Sequence, residues 1–243
     1  MPSDTSDTAD SNAAQEPLIE TTDLTKTYFR GATPVSALCG VTLQVPAGAF
    51  VVLLGPSGSG KSTLLHLLGG LDRPSSGQIR VAGVSLAEAG ERRLTRFRRE
   101  HIGFVFQFYN LLPALSALDN VSLPLLAQGL SLSAARQRGR ELLEQVGLMP
   151  RQAHKPGQLS GGEQQRVAIA RAIAARPAVV LADEPTGDLD SNTAQEVISL
   201  LADLNRELGL TILLATHNQA LQAYASQCYA MHDGRLQACS PAP

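Results

Sequence analysis

The sequence predicts an α/β fold with a mostly parallel sheet and an inserted α-helical subdomain. Phe50–Leu54 is a predicted strand, and the short apolar segments Val179–Ala182 and Thr211–Ala215 are typical of strands that are buried on both faces of a parallel sheet. A helical pattern over Thr193–Leu208 separates the last two segments, which is the spacing of a βαβ unit. No strand pattern is visible in the sequence between about 108 and 158, so this stretch is predicted to form the helical subdomain.

The other elements follow from the same patterns. The remaining predicted strands are Val41–Val45, Ile79–Val81 and Ile102–Phe106, and the remaining predicted helices are Thr63–Leu68, Ser133–Val146 and Val167–Ala175. Five arginines between Arg92 and Arg99, with glutamates nearby, favour a solvated helix, and contact with lipid headgroups or a partner is the alternative. Asp233-Gly234 indicates a hairpin near the end of the chain.

Composition sets the domain organisation. Residues 1–17 are polar and acidic and predict a disordered tail, residues 18–238 predict one large domain, and residues 239–243 form a short C-terminal tail. Hydrophobic residues make up 44% of the 243, which argues against overall disorder. No internal repeat is visible, so we expect one domain of this kind in the chain.

Charge and cysteine usage exclude several classes of protein. The formal net charge of −2 gives no overall attraction to nucleic acid or to an anionic membrane. The uncharged stretch 31–60 is interrupted by glycines and prolines, so we reject a membrane span, and the acidic start is unlike a signal peptide. The three widely spaced cysteines, Cys39, Cys228 and Cys239, suggest structural thiols in a reducing compartment rather than a disulfide or a metal site. We therefore expect a cytoplasmic protein.

A glycine-rich segment follows the strand Phe50–Leu54 and precedes a helix. It matches the pattern G-x-x-x-x-G-K-[ST] at every fixed position, over Gly55, Pro56, Ser57, Gly58, Ser59, Gly60, Lys61 and Ser62, with Thr63 next in the helix. Glycines let backbone N–H groups turn around a polyphosphate, and the helix start adds its positive dipole end. Lys61 would neutralise the β and γ oxygens and the Ser62 hydroxyl would hold Mg²⁺, so the segment predicts a P-loop NTPase core. A glycine-rich turn without this role is the alternative.

Four carboxylates follow the strand Val179–Ala182 within eight residues: Asp183, Glu184, Asp188 and Asp190. Crowded carboxylates repel one another unless a cation is present, and Mg²⁺ carried by a nucleotide would relieve that repulsion. Asp183 is the expected Mg²⁺ partner, and Glu184 is placed to polarise a water that attacks the γ-phosphate. The alternative is a solvated loop that caps the next helix through Asp190.

The segment Leu159-Ser160-Gly161-Gly162-Glu163 precedes another predicted helix. Ser160 and Glu163 form the S-x-x-E pattern of a capping box, which by itself indicates only a helix start. The paired glycines Gly161 and Gly162 weaken a first turn by about 1 kcal/mol each, so they suggest a further purpose. Exposed N–H groups at such a start form a second anion site.

The segment LSGGEQQRVAIARA resembles the signature motif of the ATP-binding cassette (ABC) ATPases. The loop Gly55–Ser62 and the segment Val179–Glu184 resemble that family's other two motifs in the same order and spacing, and the resemblance covers roughly 18–238. It implies ATP and Mg²⁺ as cofactors, antiparallel N-terminal β strands and ATP hydrolysis.

The resemblance also implies roles for single residues. Tyr28 would stack on adenine, Gln107 would sense Mg²⁺ and the attacking water, and His217 would contact the γ-phosphate. Asp190 would lie in a loop that contacts the opposite subunit of a homodimer. Ser160, Gly161, Gly162 and Glu163 would then act on the nucleotide of the partner copy.

Stretches such as HLLGGLD and LADEPTGDLDS resemble the branch that serves lipoprotein release and macrolide export. Asp188, where that branch commonly has Asn, and Asn218, where Asp is usual, are departures that affect no assigned chemistry. The resemblance implies a membrane permease partner that docks near Gln107 and residues 108–125, with membrane contact through that partner and no role for nucleic acid. The apolar side chains Phe106, Phe108, Tyr109, Leu111 and Leu112 form either this surface or ordinary core.

Two other functions remain open at this stage. One is a soluble ABC ATPase that acts on DNA or ribosomes, although such proteins usually carry paired cassettes or a long coiled-coil insertion. The other is the ATPase of a cell-division type complex, which signals across the membrane without transport. A binding module without catalysis is disfavoured because every hydrolytic position is filled.

Overall fold

A computed structural model describes residues 16–239, so nearly all of the predicted tails 1–17 and 239–243 lies outside the described residues. The strands are β1 (Ile19–Arg30), β2 (Thr33–Val45), β3 (Phe50–Leu54), β4 (Ser76–Val81), β5 (Val84–Ser85), β6 (Ile102–Phe106), β7 (Val179–Asp183), β8 (Thr211–Thr216), β9 (Gln227–His232) and β10 (Arg235–Cys239). The helices are α1 (Lys61–Leu68), α2 (Glu91–His101), α3 (Ala117–Ala127), α4 (Leu132–Gln145), α5 (Gly161–Ile173) and α6 (Ser191–Leu208). Short 3-10 helices lie at Met149–Arg151, Pro156–Gln158 and Gln219–Tyr224.

The larger sheet has the order β10-β9-β3-β8-β7-β6. Its strands pair in parallel except for the β9–β10 hairpin, which confirms the predicted mostly parallel sheet. Every residue of β3 and β8 is buried, and alternate residues pack into separate hydrophobic clusters on the two faces. This double burial explains the apolar character of these strands in the sequence.

The smaller sheet is antiparallel, with the order β2-β1-β4-β5. The family resemblance implied such strands, but the residue pattern predicted only the last five residues of β2 and missed β1. Residues 28–30 of β1 and 33–36 of β2, which flank the turn at Gly31, are exposed, and the β1–β2 register shifts at several points. Without a continuous buried face, β1 carries no regular alternation of apolar and polar residues, whereas residues 41–45 of β2 do.

Between 108 and 158 the described elements are helices. The α3 and α4 helices pack tightly, since a Cβ on Gly139 of α4 would lie 2.8 Å from Leu118 Cδ1 of α3. Predicted helix bounds agree with α4 within one residue at each end, and α5 begins directly after Ser160, as its capping pattern indicates. The arginine-rich segment forms α2, where Arg96 pairs with Glu100.

The prediction of unpaired thiols is wrong for two of the three cysteines. Cys228 and Cys239 form a disulfide, whereas Cys39 is free. The register of the β9–β10 hairpin places the two cysteines directly opposite, with their Cα atoms 5.3 Å apart. That separation suits a disulfide, and the sequence spacing alone did not reveal it.

Close backbone packing joins β6 to α5, which leads to a stability prediction. A Cβ on Gly103 would lie 2.3 Å from the Ala172 carbonyl oxygen. Gly103→Ala should therefore lower the free energy of unfolding by about 1–3 kcal/mol, measured by urea denaturation. Gly157→Ala is the matched control, because a Cβ there meets open space. Equal stability of the two variants would contradict this packing.

Candidate active site

The glycine-rich loop over residues 55–60, the predicted phosphate loop, connects β3 to α1, so the strand end and the helix start fix both of its ends. Gly58 and Gly60 have φ values of 79° and 109°, which L side chains rarely adopt. A Cβ on Gly55 would lie 2.3 Å from the Met231 carbonyl oxygen, and a Cβ on Gly60 would lie 2.5 Å from that of Ala37. The loop thus needs glycine for its own path and for the strands that enclose it.

The Lys61 side chain is folded into this loop and is 5% exposed. Its Nζ donates to the carbonyl oxygens of Gly55 at 2.7 Å and Pro56 at 3.0 Å, and Glu184 Oε1 lies 3.6 Å away. The ammonium group therefore sits at the centre of the loop with a carboxylate as its counterion.

Glu184 and His217 come together because β7 and β8 are neighbouring parallel strands. Glu184 adopts φ 45° directly after β7, and its N–H donates to the Ala215 carbonyl of β8. His217 follows β8, and its Nδ1 lies 3.1 Å from Glu184 Oε2. Lys61, Glu184 and His217 thus form one chain of contacts at the carboxyl ends of the sheet.

The four carboxylates after β7 separate instead of forming one cluster. Asp188 accepts a 3.5 Å hydrogen bond from Gln107 Nε2, and Asp190 caps α6 by accepting from the Asn192 and Thr193 N–H groups. Within residues 16–239, no group of three His, Cys, Asp or Glu side chains is arranged to hold a metal. Asp190 thus caps α6, as the alternative for this segment predicted, and the Mg²⁺ role of Asp183 stays a prediction.

Two polar atoms at the site lack partners. Asp183 Oδ1 and Ser59 Oγ are buried and have no hydrogen-bond partner among the described residues. Leaving a buried polar atom unpaired costs about 1–3 kcal/mol, so native structures rarely do so without a ligand or a water. Both atoms belong to segments that the sequence assigned to the nucleotide site.

The start of α5 is separate from the phosphate loop and contains Ser160, Gly161, Gly162 and Glu163. Ser160 caps α5, and Glu163 Oε2 accepts from the Ser160 N–H at 2.8 Å, which completes the capping box. A Cβ on Gly162 would lie 2.2 Å from Thr193 Cγ2, so packing against α6 also requires glycine there. Among the described residues, no hydrogen bond or ion pair joins this segment to the phosphate loop.

Tyr28 lies beside the first turn of α1. Its hydroxyl donates to Asp72 Oδ2 at 2.7 Å, and the side chain is 40% exposed. Burial and the Asp72 hydrogen bond raise the pKa of the Tyr28 phenol, while a hydrogen bond with Thr63 opposes them. The hydrogen bond with Asp72 thus ties Tyr28 to the segment that follows α1, and its stacking on adenine stays a prediction.

Sequence reasoning missed two residues on α5 that support the site. Gln165 is fully buried, and its Nε2 donates to the Pro185 carbonyl at 2.7 Å, in the loop after β7. Arg171 donates to the carbonyls of Tyr109 and Asn110, which have positive φ values in the loop that follows Gln107. Burial lowers the pKa of the Arg171 guanidinium. Both residues belong to the signature segment, which was the available signal.

A model of the ABC transporter family matches residues 38–187. The chain belongs to the ABC transporter family. Within it, the chain is an ATP-binding and ATP-hydrolysing cassette that powers transport through a separate permease. Within residues 16–239, no helix has the length and apolar content needed to cross a bilayer.

Relatives and solved structures extend this assignment over most of the chain. The lipoprotein-releasing system ATP-binding protein LolD of Geobacter metallireducens is 50% identical over 219 residues, or 90% of this chain and 97% of that protein. LolD of Bordetella pertussis is also 50% identical, over 91% of this chain and 96% of its own length. The ATP-binding cassette MJ0796, in a dimeric post-hydrolysis state bound to ADP and Pi, superposes with a TM-score of 0.86 at 40% identity, covering 93% of this ABC chain and 99% of its own. These relatives confirm the predicted resemblance to the branch of the family that serves lipoprotein release.

The capping box of α5 leads to a pH prediction. The hydrogen bond from the Ser160 N–H holds the pKa of Glu163 below its ordinary value, so its contribution to stability is present above that ordinary value. The contribution is lost as the pH falls through the lowered pKa of the folded state. Glu163→Gln keeps a neutral cap, so its free energy of unfolding should fall less than that of the parent on acidification below about pH 4.3.

Urea denaturation over a pH series measures this difference. Glu163→Ala, which also loses the neutral cap, should be less stable than the parent at neutral pH as well. Parallel pH profiles for the parent and Glu163→Gln would contradict the proposed linkage.

Proposed function

We propose that the protein is the ATPase of a lipoprotein-releasing type transporter and works as a homodimer on the cytoplasmic face of the inner membrane. The LolD relatives at 50% identity support the transporter type. The observation that carries the proposal is the contact chain Lys61–Glu184–His217, since it joins a phosphate-binding cation to a candidate base. The domain would span residues 18–238, with a helical subdomain at about 108–158.

The phosphate loop would hold the triphosphate. Backbone N–H groups of residues 57–63 would surround the phosphates, and Lys61 would contact the β and γ oxygens. In the structure Lys61 has Glu184 as its counterion. When the triphosphate replaces that carboxylate as the counterion of Lys61, the Glu184 carboxylate becomes available to a water molecule.

The residues present fit a nucleotide-bound Mg²⁺. Asp183 Oδ1 is a buried oxygen that lacks a partner among the described residues, and hydroxyl, carboxylate and amide oxygens are ligands that Mg²⁺ accepts. Ser62, Gln107 and Asp183 would hold the ion or its waters. When bound, Mg²⁺ would offset negative charge on the β and γ phosphates during cleavage.

Catalysis would rest on Glu184 acting as the general base toward the attacking water. His217 would keep the Glu184 carboxylate oriented through the Nδ1···Oε2 contact and would itself contact the γ-phosphate. Gln107 donates a hydrogen bond to Asp188 in the loop after β7. Through this contact, a movement of that loop would be transmitted to the helical subdomain.

The second half of each nucleotide site would come from another copy of the chain. The α5 start, with Ser160, Gly161, Gly162 and Glu163, packs against Tyr109 and α6 rather than against the phosphate loop of the same copy. The dimeric cassette structure of MJ0796 supports a pair of copies. Each ATP would then lie between one phosphate loop and the partner's α5 start.

A groove beside Gln107 is the proposed docking site of the permease. It has a volume of about 500 Å³ and lies between β6, α2, α3 and α5. Its apolar lining includes Phe104, Phe106 and Pro124. The neighbouring Phe108 is 72% exposed, so at least part of the segment 106–112 is surface rather than core.

Glu184→Gln tests the proposed general base. The variant should keep ATP binding, lower the turnover number by about 10²–10⁴, and accumulate an ATP-bound dimer. Phosphate release measures the turnover number, and light scattering in the presence of ATP measures the ATP-bound dimer. Glu207→Gln is the matched control, because Glu207 is exposed in the last turn of α6, at the end opposite the Asp190 cap. Turnover of Glu184→Gln close to that of the control would remove Glu184 from this role.

Lys61→Ala tests the phosphate loop. The variant should lose measurable nucleotide binding in a calorimetric titration, because the buried ammonium would be the main positive charge facing the β and γ phosphates. Lys155→Ala, at one of the other two lysines, should bind nucleotide like the parent. Unchanged binding in Lys61→Ala would refute the assignment of the loop.

A further inference from the structure

Tyr28 is held by two charged side chains that no proposed catalytic step uses. Lys26 Nζ lies 4.8 Å from the centroid of the Tyr28 ring, within the range of a cation–π interaction. Asp72 accepts the Tyr28 hydroxyl hydrogen bond through Oδ2. One charge therefore covers a face of the ring and the other fixes its polar end.

Lys26 and Asp72 are themselves fixed in place. Lys26 Nζ donates to Asp72 Oδ1 and to the Arg73 carbonyl, both at 2.7 Å, and its side chain is 12% exposed. The Arg73 N–H also donates to Asp72 Oδ1. Burial alone would raise the pKa of Asp72, but the hydrogen bonds from Lys26 and Tyr28 outweigh it and lower that pKa. Asp72 is therefore charged at neutral pH and can anchor both neighbours.

This cluster is attached to the helix that follows the phosphate loop. Asp72 comes four residues after the end of α1, and the Leu71 N–H donates to the His66 carbonyl in the last turn of α1. Thr63, in the first turn, lies near enough to Tyr28 to oppose the rise of its pKa. The Tyr28 ring thus has a fixed position relative to the phosphate loop, although Tyr28 belongs to β1 of the smaller sheet and the loop follows β3 of the larger sheet.

The identity of residue 26 agrees with this arrangement. Lysine occurs at only three positions among the 20 basic residues of the chain, and Lys26 is one of them. A compact ammonium group can donate to two oxygens on one side while it faces a ring on the other, whereas a planar guanidinium suits bidentate pairing. The site therefore has a physical reason to hold lysine.

We propose that Lys26 and Asp72 are positioning residues that hold the Tyr28 ring so that its face away from Lys26 receives the adenine base. This inference rests on the proposed role of Tyr28 as the adenine platform. It extends the nucleotide site to a charged pair that does not contact the phosphates. Fixing the ring before binding lowers the ordering cost of stacking, so the pair should contribute to ATP affinity and not to phosphate affinity.

Titration calorimetry with two ligands in the presence of Mg²⁺ tests this proposal. ATP carries the base, whereas inorganic tripolyphosphate carries only the phosphates. Lys26→Met, which keeps the aliphatic stem, and Asp72→Ala should each weaken ATP binding about three- to tenfold and leave tripolyphosphate binding unchanged. Tripolyphosphate binding also reports that the phosphate loop is intact. Arg138→Met, which removes an ion pair with Glu141 on α4, is the control and should change neither affinity.

A double-substitution cycle with Tyr28→Ala distinguishes positioning from a general structural effect. Once the ring is gone, Lys26→Met should weaken ATP binding no further. Additive losses, or equal losses for ATP and tripolyphosphate, would overturn the positioning role. If Tyr28→Ala weakens ATP selectively but Lys26→Met and Asp72→Ala do not, this inference fails while the role of Tyr28 stands. If Tyr28→Ala leaves the ATP to tripolyphosphate ratio unchanged, the platform role itself fails, and the inference fails with it.

Discussion

The phosphate loop has no room for side chains at the points where strands of both sheets enclose it, and the rest of the site depends on this constraint. The Met231 carbonyl of β9 crowds Gly55, and the Ala37 carbonyl of β2 crowds Gly60. The turn of the β9–β10 hairpin completes the enclosure, since the Gly234 N–H donates to the Ser59 carbonyl. Two segments distant in sequence, β2 and the β9–β10 hairpin, therefore fix one loop, so the loop is enclosed only when both sheets have formed.

The carboxyl edge of the larger sheet explains how the proposed catalytic groups reach the loop. Parallel strands end on one side, so the loops after β7 and β8 deliver Glu184 and His217 next to Lys61. Helix α5 then holds the surrounding loops through Gln165 and Arg171. Helix α5 also begins with the signature segment. A shift of that helix would therefore displace both the loop after β7 and the loop after Gln107. The geometry thus links the contact surface of a second copy to the loops that carry the reaction.

Those parts of the fold and of the candidate site that depend on residues adjacent in sequence could be predicted from the sequence. The strands β3 and β8, and the position of the glycine-rich loop between β3 and α1, depend on neighbouring residues and were predicted correctly. Strand β1 and the Cys228–Cys239 disulfide depend on register between strands, which the linear pattern did not reveal. The pair of Lys26 and Asp72 is separated by 46 residues and becomes recognisable only after folding. The separation of the four carboxylates was missed for the same reason.

Complementation between two inactive variants tests the central claim most directly, namely that each nucleotide site is shared between two copies. One variant carries Lys61→Ala and the other carries Ser160→Arg, and each alone should release little phosphate from ATP. A mixed dimer would join the intact loop of the second variant to the intact signature segment of the first. The account predicts that mixing them restores phosphate release well above either variant alone. If the mixture stays as inactive as its components while both remain folded by circular dichroism, the shared site is contradicted.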